Sequence, residues 1–235
     1  MPDPRQVRSM FARISARYDL VNRLLSLGID RSWRAAMLRT AGEVDGRVAV
    51  DFCCGTGDVS FLLARHGASV VGVDFTREMI DQAERRRLRG SASRSARVLF
   101  AVGDAVQVPL RTGSAALATI AFGIRNIDDR AAALREFARV LEPGGLLVVL
   151  EFGRPSSRAL ASAYELYFHK VLPRIGALVS GDGEAYAYLP RSVSTWPGPA
   201  AFQQEIESAG FVACGFRPLS GGIAFLHWGR TAGGR

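Results

Sequence analysis

Lysine is nearly missing from this chain: Lys170 is the only one among 30 lysine and arginine residues, so a formal charge of +8 rests on arginine. Genomic base composition produces such a bias as readily as function does. Cysteine is scarce too. Of three, Cys53 and Cys54 are adjacent and Cys214 is remote, and the lack of any CxxC pair excludes the usual zinc and redox motifs. No metal site is expected. No run reaches the roughly 18 to 20 apolar residues of a membrane span, and Met1-Pro2-Asp3-Pro4-Arg5 lacks a leader's apolar stretch. These absences predict a soluble, cytoplasmic chain. There is no internal repeat, no NPPY-type segment for a flipped base and no basic–aromatic array suited to single strands, so no nucleic-acid partner is expected. The arginines of Arg85, Arg86, Arg87 and Arg89 accompany Asp81 and Glu84 on a predicted helix and read as a solvated face.

What is present is a core. With 235 residues and 48% hydrophobic content, the chain can bury one substantial domain. From Arg47 onward short apolar runs alternate with helical patterns, which predicts parallel strands joined by crossover helices. Strands are expected near Val48–Phe52, Ser69–Asp74, Val98–Gly103, Ala115–Phe122 and Leu146–Phe152. Helices are expected near Asp58–His66, Thr76–Arg89 and Asp128–Leu141, the last stopped by Pro143-Gly144-Gly145. Residues 1–45 show helical spacing without strand signals and read as an N-terminal helical cap. The core is expected over 46–230 with a helical insertion at 157–190, a helix to Ala209, and terminal strands Phe211–Phe216 and Gly222–Trp228. Residues 231–235 read as a loose tail.

In an open parallel sheet, ligands bind beyond the carboxyl ends of the strands where strand order reverses. Polar residues fall at those ends: Asp51 to Asp58, Asp74, Asp104-Ala105, and Gly123-Ile124-Arg125-Asn126. The Gly55-Thr56-Gly57 turn alone fits many nucleotide folds. Asp74, about 20 residues on, sits where a nucleoside binder engages ribose hydroxyls. A dinucleotide would place pyrophosphate at the helix N-terminus, where Asp51 and Asp58 would repel it. S-adenosylmethionine has no phosphate and carries a sulfonium, an ammonium and one carboxylate. The amides of Gly55 and Gly57 suit its carboxylate, Asp51, directly or through water, its ammonium, and Asp104, with the backbone N–H of Ala105 or Val106, the adenine edge. Asp58 reads equally as a helix N-cap.

The segments Phe11 to Asn22 (with Tyr18-Asp19), Phe122-Gly123-Ile124-Arg125-Asn126, Leu141 to Gly145 running into Leu150-Glu151-Phe152, and Val171 to Gly176 resemble the UbiE/MenG family of ubiquinone and menaquinone biosynthesis C-methyltransferases. The resemblance spans about residues 10 to 229. It implies a class I S-adenosylmethionine-dependent methyltransferase fold: a Rossmann-like α/β sheet, mostly parallel with a terminal antiparallel strand and helices on both faces. It implies methylation of a ring carbon on a prenylated quinol, either a naphthoquinol such as demethylmenaquinol or a benzoquinol. It places cofactor contacts on Thr56, Asp74, Asp104-Ala105 and Ala121, the last departing from the family's usual serine.

Such chemistry needs a base and an oxyanion holder. Arg125 stays protonated and suits the oxyanion, with Asn126 as second donor, although a loop arginine paired to a nearby acid is the plainer reading. For the base, His169 has the fitting pKa, with Asp19, Tyr18 or a held water as rivals. His66 and His227 read as structural. A prenyl tail implies peripheral contact with a membrane surface; a homo-oligomer is compatible with the sequence. A nucleic-acid methyltransferase and a non-catalytic binding module are the competing readings.

Overall fold

The computed structural model describes residues 9–10, 12–13, 26, 28–90, 97–155, 157–167 and 192–233. Helix α1 (Asp30–Ala41) leads to β1 (Val48–Phe52), α2 (Asp58–Arg65), β2 (Ser69–Asp74), α3 (Arg77–Arg89) and β3 (Val98–Val102). A loop connects to β4 (Ala115–Ala121), a 3-10 turn (Ile124–Asn126), α4 (Arg130–Val140), β5 (Leu141–Phe152) and α5 (Arg158–Leu166). The chain ends in α6 (Pro199–Ser208), β6 (Val212–Leu219) and β7 (Ala224–Arg230).

Among the described residues, seven strands form one sheet in the order β3-β2-β1-β4-β5-β7-β6. The first five run parallel, whereas β7 is antiparallel to β5 and β6. This is the expected fold class. Strand β4 reads as an unbroken apolar run because helices cover both faces of the sheet; all its residues but Ala121 are buried. On one face Phe52 and Ile120 pack with Leu134 and Phe137 of α4 and with Phe202 and Ile206 of α6. On the other, Ala49, Leu117 and Leu150 pack with Trp33 and Met37 of α1 and Val59 and Leu63 of α2.

Local chemistry sets several helix starts. Asp129 caps α4, accepting the Ala132 N–H at 2.8 Å, and Pro199 opens α6 at a position where its missing N–H costs nothing. The expected stop at Pro143-Gly144-Gly145 takes a different form. α4 ends at Val140, and Leu141 already pairs with Ala115 before the register shifts and pairing resumes at Leu117 and Leu146. The Pro-Gly-Gly segment is thus a bulge inside β5, with Gly144 at φ 77°. Thr231, expected in a loose tail, is tied to that bulge: its hydroxyl donates to the Glu142 carbonyl at 2.6 Å and its N–H to the Gly145 carbonyl at 3.0 Å. α1 lies in the layer against the sheet, burying Trp33, Ala36, Met37 and Ala41. The rest of the expected cap, and most of the insertion at 157–190, lie outside the described residues.

Phe137 and Phe52 are fully buried with ring centroids 4.1 Å apart. Phe137→Ala should cost about 3–5 kcal/mol, read as a lower urea midpoint; a loss below about 1 kcal/mol would show that the α4 interface repacks around the gap.

Candidate active site

The strand order turns back between β1 and β4, so the crossovers leaving them diverge and open a crevice at their carboxyl ends. A cavity of about 240 Å³ sits there. Its wall draws on four strand ends: Cys53 and Gly55 after β1; Asp74, Phe75, Thr76 and Met79 at and after β2; Gly103 to Val106 after β3; and Ala121, Phe122, Gly123 and Asn126 to Asp129 after β4.

The turn after β1 is shaped by positive φ at Cys53 (50°), Gly55 (55°) and Gly57 (87°). Gly57 is constrained twice, since a Cβ there would also lie 2.6 Å from the Phe100 ring. Gly57, and not Asp58, is the N-cap position of α2. Asp58 instead bridges two arginines, Arg86 at 2.7 Å and Arg34 at 3.1 Å. Arg86 also donates to the carbonyl and the hydroxyl of Thr56 at 2.8 and 2.9 Å and lies over the Phe61 ring. Part of the arginine cluster expected as a solvated face is therefore a clamp on the glycine turn, while Arg85 and Arg89 are exposed. Thr56 itself is buried and its side chain is turned to Arg86.

Asp74 ends β2 against the cavity. Its two oxygens accept the N–H groups of Gly55 and Thr76, each at 2.9 Å, so it holds the turn while walling the cavity. Burial raises its carboxyl pKa, opposed by the Thr76 and Gly55 amides. Asp51 is placed differently from expectation. Its carboxylate lies beneath the turn, 1% exposed, accepting from Ser60 Oγ at 2.6 Å and Thr119 Oγ1 at 2.8 Å. Burial pushes its pKa up to about 6 despite both hydroxyls. Asp104 is exposed and accepts the Val106 N–H at 3.0 Å; Ala105 beside it is buried. Ala121 walls the cavity, with no hydroxyl to offer.

Beyond β4, Phe122 has φ 58°, and Gly123 packs so closely that a Cβ would lie 2.4 Å from that of Cys53. Asn126 faces the cavity. Arg125 is paired with an acid, as its plainer reading held: Nη1 donates at 2.6 Å to both Glu151 Oε1 and the Phe122 carbonyl, and Nε donates to Ser192 Oγ at 3.3 Å. Its side chain is only 6% exposed. Among the described residues, Nη2 makes no hydrogen bond. His227 is buried among Phe202, Phe216 and Phe225, which pushes its pKa down to about 4. His66 Nδ1 meets the Leu62 carbonyl at 2.9 Å. Tyr18, Asp19 and His169 lie outside the described residues. No group of three or more His, Cys, Asp or Glu among the described residues could hold a metal ion.

Among the described residues, the cavity wall carries Asp74, Asp104, Asp128 and Asp129 and no arginine, lysine or histidine. That field repels phosphate and favours a cation, while Met79, Val106 and Ile127 offer apolar surface for a flat ring. S-adenosylmethionine fits such a wall.

The model of the ubiE/COQ5 methyltransferase family matches residues 2–231. The chain belongs to that family. It is 42% identical over 222 residues to a demethylmenaquinone methyltransferase of Thermus thermophilus, covering 94% of this chain and 99% of that one. It is 44% identical over 224 residues to the ubiquinone/menaquinone biosynthesis C-methyltransferase UbiE of Syntrophotalea carbinolica, covering 94% and 92%. Among solved structures, an S-adenosylmethionine-dependent methyltransferase of Aquifex aeolicus shares the fold with a TM-score of 0.62 at 15% identity, over 85% of this chain and 89% of that one. The chain is thus an S-adenosylmethionine-dependent methyltransferase.

Residue pattern alone missed Ser60, Thr119, Arg86 and Glu151. Ser60 occupies the third glycine position of the dinucleotide pattern, a signal that something other than pyrophosphate packing is required there. The other three reach the site from elements distant in sequence.

The pKa of Asp51 gives a signed test. A carboxyl raised from 3.8 to about 6 in the fold favours the protonated native state, so its contribution falls as pH rises through that window and is constant above it. Asp51→Asn removes this loss. The stability difference between variant and wild type should move in the variant's favour between about pH 4 and pH 7, by up to about 3 kcal/mol, in urea denaturation. A difference that does not change with pH would show that Asp51 titrates normally.

Proposed function

We propose that this enzyme transfers the methyl of S-adenosylmethionine to a ring carbon of a polyprenylated quinol, with demethylmenaquinol as acceptor. The carrying observation is the pairing of an acidic, cation-seeking cavity with a buried arginine at the end of the same strand, β4. The relatives' names favour the naphthoquinol over a benzoquinol.

When bound, the cofactor supplies a methyl group on a positively charged sulfur. Asp74 receives the ribose hydroxyls, Asp104 and the Ala105 backbone the adenine edge, and the turn through Gly55, Thr56 and Gly57 the carboxylate end, with Ala121 contributing backbone only. Asp51 acts through that turn, holding it from below. On the acceptor side, a ring hydroxyl that loses its proton raises electron density on the neighbouring ring carbon, which would take the methyl as its bond to sulfur breaks and then release its own hydrogen as a proton to restore the aromatic ring. Arg125 and Asn126 hold the oxygen left negative. Removal of the proton is assigned to His169, Tyr18, Asp19 or a water that one of them holds. A prenyl tail keeps the acceptor in lipid, so the enzyme works at a membrane surface as a peripheral visitor; no described helix is long and apolar enough to cross one.

The direct test incubates the protein with labelled cofactor and a reduced, prenylated naphthoquinol bearing hydrogen at the methyl position. Label appearing only on another acceptor sinks the quinol assignment. Asp74→Ala should weaken S-adenosylhomocysteine binding about 10- to 100-fold by calorimetry. Arg125→Ala should lower turnover about 100-fold with cofactor affinity unchanged. Equal loss of affinity in both variants would show that Arg125 serves the cofactor.

A further inference from the structure

Glu151 stands at the carboxyl end of β5, the strand beside β4, and its side chain is fully buried. Oε1 accepts from Arg125 Nη1 at 2.6 Å and from the Phe152 N–H at 2.8 Å, while Oε2 receives a longer contact from the Arg125 N–H at 3.4 Å. One carboxylate therefore grips both the guanidinium and the backbone of the turn that carries it. The Phe122 carbonyl takes a second bond from Nη1 at 2.6 Å, and the Phe152 ring lies 5.3 Å beneath the guanidinium carbon. Phe152 and Phe122 stack in turn at 4.5 Å. An ion pair this deeply desolvated adds little stability compared with an apolar pair, so its retention needs another explanation.

We infer that Glu151 is a positioning residue for catalysis: it immobilises Arg125 so that Nη2, the edge with no hydrogen bond among the described residues, is the one left for the acceptor's oxygen. This rests on the assignment of Arg125 to the acceptor oxygen. The carboxylate takes Nη1, the Ser192 hydroxyl takes Nε, and the aromatic ring below fixes the plane. An oxyanion holder must be aimed before the charge develops, because reorienting it during the reaction costs what it would contribute. Two carbonyl-type acceptors on one nitrogen do that without touching the substrate. The same grip on the Arg125 N–H holds the 3-10 turn that presents Asn126 to the cavity.

The test is a double-mutant cycle on the full chain, with thermal midpoints and S-adenosylhomocysteine affinity measured for every variant. Glu151→Ala should lower kcat about 100-fold with cofactor affinity within about twofold. In an Arg125→Ala background the same substitution should change kcat by less than about threefold. Glu151→Gln, which keeps an acceptor oxygen at the same reach, should recover part of the loss. Equal losses in both backgrounds, or a matching loss of cofactor affinity, would overturn the inference. A second readout does not depend on the acceptor: the Arg125 Nε–Hε resonance should be resolved in wild-type protein and lost to exchange in Glu151→Ala. If it is unchanged, Glu151 does not position Arg125; if wild-type protein leaves the naphthoquinol unmethylated while the resonance responds, only the choice of acceptor is wrong.

Discussion

A carboxylate with no water around it must have its hydrogen bonds supplied by the protein, and at Asp51 they come from two elements that could otherwise drift apart. Ser60 belongs to the first helix after β1, and Thr119 to β4 across the reversal in strand order. The three side chains pin the base of the glycine turn to the strand whose far end carries Phe122 to Asn126. Every feature above them inherits that spacing: the Asp74 bonds to the turn, the close packing of Gly123 on Cys53, and the width of the cavity between. One buried hydrogen-bonded cluster thus ties the glycine turn to β4 from below.

Arginines tie together the elements around this site. Arg86 reaches from α3 to Thr56 and Asp58. Arg139 spans Glu136, the Leu110 and Val108 carbonyls and Thr112, bracing the loop between β3 and β4. Arg130 forms a two-point pair with Glu205 and joins α4 to α6. A guanidinium can do this because its five donors lie in a fixed plane, so a single side chain satisfies several backbone carbonyls at once. Lysine, a flexible point charge, could not replace it at these junctions. The shortage of lysine in the sequence thus has a structural counterpart, even though base composition alone could have produced it.

The sheet was legible in the sequence because its signals are local: apolar runs of strand length, helical spacing between them, and acids at the run ends. Strands β1 and β2 match their expected limits, and the others differ by a few residues. The larger differences come from pairings that no local pattern encodes. Leu141 enters the sheet early because Ala115 is its partner, and Thr231 is tethered because a carbonyl in the β5 bulge faces it. The same holds for the site. Asp74 and Asp104 are visible as strand-end acids, yet the burial of Asp51 depends on Thr119, which is 68 positions away. Arg125 read alone could serve either an ion pair or the acceptor, and only the positions of Glu151, Phe122 and Ser192 show which of its nitrogens are engaged: Nη1 and Nε are, while Nη2 has no hydrogen bond among the described residues.

The contact between Gly123 and Cys53 constrains how the protein can change over time. Any residue larger than glycine at 123 meets the Cβ of residue 53 at 2.4 Å, so trimming Cys53 to alanine gives no relief. Only a glycine at 53, where φ is already 50°, opens the space. The two positions are therefore coupled: a side chain at 123 fits without moving the backbone only where 53 has none.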